Sequence, residues 1–472
     1  MDNNTRAIAR FAAGLRYEAL SASAVHAVVR HHLDGIGCAA GAFTAEPCRI
    51  ARQIAAATSQ PGGCSVFGLP TLTTPEYAAF ANGSAVRHLD FNDTYLAGKG
   101  GGGHPNDMAP AILAAVEMVG GGGRDLIAGI YTAYQIYGAV SGAIKLRAKG
   151  IDQGIPVSLG TAAAIGRIFG LDEDGIANAI ALAIVPSTPV RVTRAGELSH
   201  WKGCATAHAS MTALFGARLA RLGMTGPSEP FTGYDAFCNL SGPFELGDVG
   251  ALEDGKSAVE TTSIKYFPAE FNSQGTITAL LELRQQFRLE DLESLTVHSY
   301  HLTWHEIGGG QGDAAEKWDP KTRESADHSL PYMAALTLRD GPITNDSFTP
   351  DKVRDPTLRP LMQKIRVLED PEISAHWKAT SQPKSRLTIR LRDGRVIEHT
   401  VINFRGHPSN PMTDAEVQFK FDSMIGRVVD EAGAARLRDT LWHLDRLAHV
   451  GTLTEQLRGW SDRSGASAQA GA

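Results

Sequence analysis

The sequence predicts a mainly helical protein with a smaller α+β domain, and three observations carry that expectation. Apolar residues recur at helical spacing through about residue 255, and from about Thr261 the pattern turns to short runs of strand character. Helical spacing then returns from Thr413. At 472 residues the chain exceeds what one hydrophobic core usually serves, so two domains are expected. The expected boundaries are a helical first part over 1–258, an α+β domain over 259–411, and helices over 412–472 that rejoin the first part.

Each element has a local reason. Ser21 can cap a helix in which Val25, Val28, Val29, His32 and Leu33 share a face. Further helical patterns run over 106–119, 125–146, 157–169, 172–183 and 205–222, and Gly120 to Gly123 and Gly170 stand where C-terminal stops belong. Strands are expected over 295–300, 364–368, 386–391 and 396–404, the last two joined by the hairpin signal Asp393-Gly394. Helices return over 413–424 and 431–449, and the small polar tail from Ser461 is expected to fray.

Composition narrows the function. Forty-five basic against 51 acidic residues give a net charge of −6, which leaves no electrostatic footprint for nucleic acid. The N-terminus lacks the uninterrupted apolar core of a secretory leader, and no apolar run suffices for a membrane span, so a cytoplasmic protein is expected. Aromatic residues are only 7%, whereas Ala and Gly are abundant, as closely packed helices require. The five cysteines (Cys38, Cys48, Cys64, Cys204, Cys238) are scattered without a Cys-x-x-Cys, which argues against an iron–sulfur cluster or a zinc ribbon. No metal and no cofactor are expected.

Several patterns imitate other chemistries. Residues 250–257 satisfy the P-loop expression, but Glu253 and Asp254 would repel phosphate and no buried strand precedes them, so a surface turn is expected. Gly35, Gly37 and Gly41 imitate a dinucleotide loop, yet a helix precedes them, and close helix packing explains them better. Ser199-His-Trp-Lys202 has the Ser-x-x-Lys spacing of penicillin-interacting enzymes without their partner motifs. His298, His301, His305 and Glu306 do not converge as metal ligands, because a strand would place His298 and His301 on opposite faces. His31 and His32 are expected to be one buried and one solvated side chain.

The richest stretch is 87–115, RHLDFNDTYLAGKGGGGHPNDMAPAILAA. It sets Asp90, Asp93, Lys99, a four-glycine run and His104 before an apolar helical pattern. Carboxylate, imidazole and flexible backbone at a helix start suit acid/base work on an anionic substrate. Arg191, Arg194, Lys202 and Lys265 can supply the fixed cations that such a reaction needs, with ordinary surface charge as the competing reading of each.

RHLDFNDTYLA followed by His-Pro-Asn resembles the MmgE/PrpD family, most closely its 2-methylcitrate dehydratases. Six further words match in family order: Asp34-Gly-Ile-Gly, Arg191-Val-Thr-Arg194, His200-Trp-Lys202-Gly, Lys265-Tyr-Phe-Pro-Ala-Glu-Phe, Asp327-His-Ser-Leu-Pro-Tyr332 and Gly406-His-Pro-Ser-Asn-Pro. The resemblance implies a large helical domain with an α+β lid, a homodimer, and a cofactor-independent lyase that dehydrates 2-methylcitrate to 2-methyl-cis-aconitate. It also implies Asp93, His104, Lys202 and Tyr332 as catalytic residues, with Thr94, Arg191, Arg194, Lys265 and Asn272 binding the polycarboxylate and His328 standing behind them. The family also includes cis-aconitate decarboxylation and iminodisuccinate epimerisation, which begin with related carbanion chemistry. A non-catalytic paralogue that binds a polycarboxylate is the rival from another class. Two departures bear on it: Asn272 stands where a catalytic histidine is usual, and Gln153 lies in a stretch where many members have a histidine.

Overall fold

The computed structural model describes residues 1–97 and 101–463, so Gly98, Lys99, Gly100 and residues 464–472 of the tail lie outside the described residues. The chain forms two compact units, the first of Met1–Arg191, Gly203–Thr262 and Thr413–Ala472, the second of Val192–Lys202 and Ser263–Met412. Lys202 therefore stands in the second unit, not in the helical part to which the sequence assigned it. The segment is tied there by Leu198, whose N donates to Ser325 Oγ at 3.3 Å and whose carbonyl accepts from Thr322 Oγ1 at 3.3 Å.

The first unit is built from helices. Ser21 caps Ala22–Gly41 by accepting from Ala24 N at 3.1 Å. Gly123–Ala143, Gly154–Ile168, Glu173–Ile184 and Ala205–Arg221 pack on one another, and Asp414–Ile425 returns to pack on Ala22–Gly41. The approach of that last pair requires Gly37, where a Cβ would stand 3.2 Å from Phe421 Cα. His31 and His32 both lie buried in the Ala22–Gly41 helix, because from Val28 onward it is surrounded by other helices. The expected helix over 106–119 divides into a 3-10 turn, Pro105–Met108, and a helix, Ala109–Met118. Pro110 has no N–H to give Asn106 O, which accepts from Ala109 N in a tighter turn. The first unit is also not purely helical: Asp93–Ala97 pairs antiparallel with Gly101–Gly103.

The second unit holds a four-stranded sheet in the order Ile365–Glu369, Leu292–Ser299, Lys384–Leu391, Val396–Ile402. The first pair is parallel and the others antiparallel, with Val297 opposite both Val367 and Leu387. Leu295, Val297, Leu387 and Ile389 are buried on one face, against the helices Gln274–Leu283 and Leu330–Asp340. The Asp393-Gly394 hairpin turns where expected, with Gly394 at φ 88°. The strand Leu292–Ser299 stops one residue short of Tyr300, and His301 begins the helix His301–Ile307, so His298 and His301 do not share a strand. The P-loop lookalike is an exposed two-residue turn: Glu253 and Lys256 exchange backbone bonds of 2.9 Å around Asp254 and Gly255, both at positive φ. Among the described residues no helix is long and apolar enough to cross a membrane.

Candidate functional site

The first unit gathers its chemistry in the loop that follows the helix Pro75–His88. Asp90 holds a left-handed backbone, φ 51°, that costs free energy in a residue with a Cβ. Arg87 Nη1 secures it at 2.5 Å from Asp90 Oδ1, while Arg87 Nε lies 3.6 Å from Asp107 Oδ2. Asn92 Nδ2 donates to the other oxygen of Asp107 at 2.9 Å. All four side chains are buried, so each charge is answered by a neighbour in place of water.

His104 sits at the end of this network, beyond the glycine strand. That strand needs glycine: a Cβ at Gly101 would fall 2.0 Å from Ser141 O, and one at Gly102 would fall 2.2 Å from Tyr95 O. The imidazole Nδ1 lies 2.6 Å from Asp93 O. A carbonyl oxygen only accepts, so Nδ1 carries the hydrogen and Nε2 holds the lone pair of the neutral ring. Nε2 is 3.6 Å from Asp90 Oδ1. The His104 backbone N donates to Gln153 Oε1 at 3.2 Å, which places the second of the two sequence departures directly beside this residue. His104 retains 8% exposure, against 0% for Asp93.

Asp93 is accordingly less a proton carrier than a post. Its Oδ2 accepts from Tyr134 Oη at 2.6 Å and its Oδ1 from Asn106 N at 3.2 Å. Burial pushes its carboxyl well above the usual range, with the negative Asp107 adding to the rise and the Tyr134 hydrogen bond opposing it. His31, whose Nδ1 lies 3.5 Å from Asp93 Oδ2, is held neutral by burial, its pKa lowered to about 3. Thr94 donates its hydroxyl to Asp93 O at 2.8 Å. Of the two carboxylates, Asp90 is the one that faces His104 Nε2, at 3.6 Å.

The second unit has its own charged cluster. Lys202 Nζ lies 2.5 Å from Asp327 Oδ1 and 3.1 Å from His328 Nδ1, and that nitrogen lies 2.7 Å from the same Asp327 oxygen. An ammonium only donates and a carboxylate only accepts, so His328 Nδ1 either takes a hydrogen from Lys202 or gives one to Asp327. The three groups thus share protons across one short path. Arg194 supports the turn by donating Nη1 to Lys202 O at 2.7 Å. Arg191 belongs to the first unit, where its backbone N donates to Gly150 O at 2.9 Å. Lys265 is fully buried, so it is not an ordinary surface charge.

Asn272 is fixed between two side chains. Its Nδ2 donates to Glu270 Oε1 at 2.7 Å, and its Oδ1 accepts from Tyr300 Oη at 2.5 Å. Tyr300 in turn stacks on Trp377, centroids 4.6 Å apart. Tyr332 stands on the helix Leu330–Asp340. Its ring is wholly buried in the core of the second unit and its hydroxyl donates to Ser347 O at 2.9 Å. Burial pushes its pKa above the usual tyrosine value. Asp327, Glu270, Tyr300 and Tyr134 escaped the sequence reading. Asp327 and Glu270 had a signal, since each lies within a family word quoted from the sequence, Asp327 at the head of the one that holds Tyr332.

Comparisons with known proteins agree with this organisation. A family model described as the MmgE/PrpD N-terminal domain matches residues 6–243, and one described as the MmgE/PrpD C-terminal domain matches residues 267–446. The 2-methylcitrate dehydratase of Cupriavidus necator is 27% identical over 419 residues, covering 82% of this chain and 83% of that protein. The 2-methylcitrate dehydratase of Escherichia coli (strain K12) is 27% identical over 404 residues, 79% of each chain. A fungal alkylcitrate dehydratase is 25% identical over 442 residues, 87% of this chain and 85% of its own.

Proposed function

Because the chain belongs to the MmgE/PrpD family, we propose that it is a hydro-lyase that removes water from 2-methylcitrate or a closely related polycarboxylate. Relatives with dehydratase names support the reaction class. The observation that carries the reading in this chain is the His104 ring, set with Nδ1 2.6 Å from the Asp93 carbonyl and Nε2 3.6 Å from Asp90 Oδ1. Dehydration breaks a C–H bond next to a carboxylate and a C–O bond on the neighbouring carbon, forming a C=C bond and water. His104 Nε2 is assigned the C–H proton, and the imidazolium that results is stabilised by Asp90 at 3.6 Å. The departing hydroxyl takes up one proton as it leaves as water, which balances the one lost from carbon. In the second unit the cationic Lys202, held against Asp327, suits a ligand rich in carboxylates.

Incubation with a polycarboxylate panel in deuterated water, followed by NMR, tests the proposal. Net conversion of 2-methylcitrate or a homologue to the unsaturated acid is the expected result. Solvent deuterium entering a substrate that is otherwise unchanged points to the epimerase branch, and loss of carbon dioxide points to the decarboxylase branch. Binding without any exchange refutes the enzymatic reading.

A further inference from the structure

The returning helix Asp414–Ile425 packs so closely on Ala22–Gly41 that it carries a charge below the surface of the first unit. Lys420 has a side chain only 4% exposed, and its Nζ lies 2.7 Å from Asp34 Oδ1, which is fully buried. The same ammonium donates to Phe91 O at 2.6 Å and lies 3.8 Å from the centroid of the Phe91 ring. A buried ion pair is by itself weak evidence for stability, because desolvation of two charges offsets most of their attraction. This one grips the main chain and the ring of a single residue together.

That residue is well placed. Phe91 follows Asp90, whose left-handed backbone Arg87 already secures on its other side. It precedes Asn92, which holds Asp107, and Asp93, whose carbonyl takes the His104 hydrogen. A shift of the Phe91 main chain therefore moves both groups that face the His104 ring, the Asp93 carbonyl at Nδ1 and the Asp90 carboxylate at Nε2. We propose that Lys420 is a positioning residue that fixes the tautomer and aim of His104 through the backbone of residues 91–93. The inference rests on the proposed role of His104 for its catalytic meaning, and on geometry alone for the tautomer.

The test uses Asp34→Asn/Lys420→Met, because removing Lys420 alone strands a buried carboxylate. Histidine-ring ¹⁵N correlation spectra read the His104 tautomer without any turnover, the signal being assigned by its loss in His104→Gln. Wild type is expected to show the Nδ1–H form alone. The double variant, folded by circular dichroism, is expected to show a mixture of forms. Its kcat is expected to fall roughly 10-fold to 100-fold with KM within about twofold, as for a displaced catalytic group. An unchanged His104 signal in the folded double variant overturns the proposal. Should that protein not fold, Lys420→Arg carries the same test. A planar guanidinium cannot keep Asp34, the Phe91 carbonyl and the ring together in this geometry, so an unmoved signal there also overturns it. A tautomer that changes as expected in a protein that turns over no polycarboxylate refutes the proposed function and leaves the positioning role standing.

Discussion

Asn272 marks this chain apart at the scale of single residues. Its amide is oriented by Glu270 and Tyr300, so it donates on one side and accepts on the other but cannot carry a proton near neutrality. If a histidine there is the proton carrier in dehydration, wild type is a poor 2-methylcitrate dehydratase and Asn272→His raises kcat, by up to about 10²–10⁴-fold. Steady-state kinetics decide it, and a change confined to KM refutes the idea. Tyr332 makes the opposite prediction. Tyr332→Phe loses one buried hydrogen bond to Ser347 O, so stability should drop by about 1–2 kcal/mol in denaturant titration while kcat stays within about threefold. A fall in kcat of a hundredfold at unchanged stability would restore Tyr332 as a proton donor.

Elements explain why some features could be read in advance and others not. The Asp393-Gly394 turn and the Ser21 cap are local signals, decided by residues a few positions apart, and both stand where expected. The helix start after His104 was misplaced because Pro110 acts one turn back, on Asn106. Burial is less local still: His31 and His32 looked like an inside–outside pair, and both proved buried because neighbouring helices enclose that turn. The helix Ala22–Gly41 consequently carries an acid sensitivity. Burial lowers the His32 pKa from its usual 6.5 to about 4. A lowered folded-state pKa means that the unfolded chain binds the proton more readily, so the contribution is present above pH 6.5 and is lost as pH falls toward 4. Between pH 7 and 4.5 His32 is expected to remove about 2–3 kcal/mol of stability. Thermal melts of His32→Gln against wild type check this, and the difference between the two should narrow as the pH is lowered. Parallel pH dependence of the two proteins would contradict it.

On the scale of the whole molecule, long-range pairing decides what the charged residues do. Lys202 and Asp327 are 125 positions apart in the chain, and no spacing rule could have joined them. Family words singled out Lys202 and the segment around Asp327, but not which atoms meet. The contrast with Lys256 follows from the same geometry. Lys256 lies in an exposed turn, so Lys256→Ala should leave both activity and stability near wild type, within about 0.5 kcal/mol. Lys202→Gln leaves the Asp327 carboxylate buried without its cation, and should lower kcat at least tenfold and cost about 3–5 kcal/mol. Retained activity in Lys202→Gln alongside loss in Lys256→Ala would place the chemistry elsewhere.

The most direct measurement follows the proton that His104 is assigned. Wild type and His104→Gln are each incubated with the polycarboxylate that wild type turns over, in deuterated water, and ²H incorporation next to the carboxylate is followed by NMR together with loss of water. Glutamine keeps a donor for the Asp93 carbonyl but has no basic nitrogen, so exchange and dehydration should fall together by about 10²–10⁴-fold, with binding little changed. If His104→Gln exchanges the same hydrogen at the wild-type rate, His104 Nε2 is not the base and the assignment of this site is wrong.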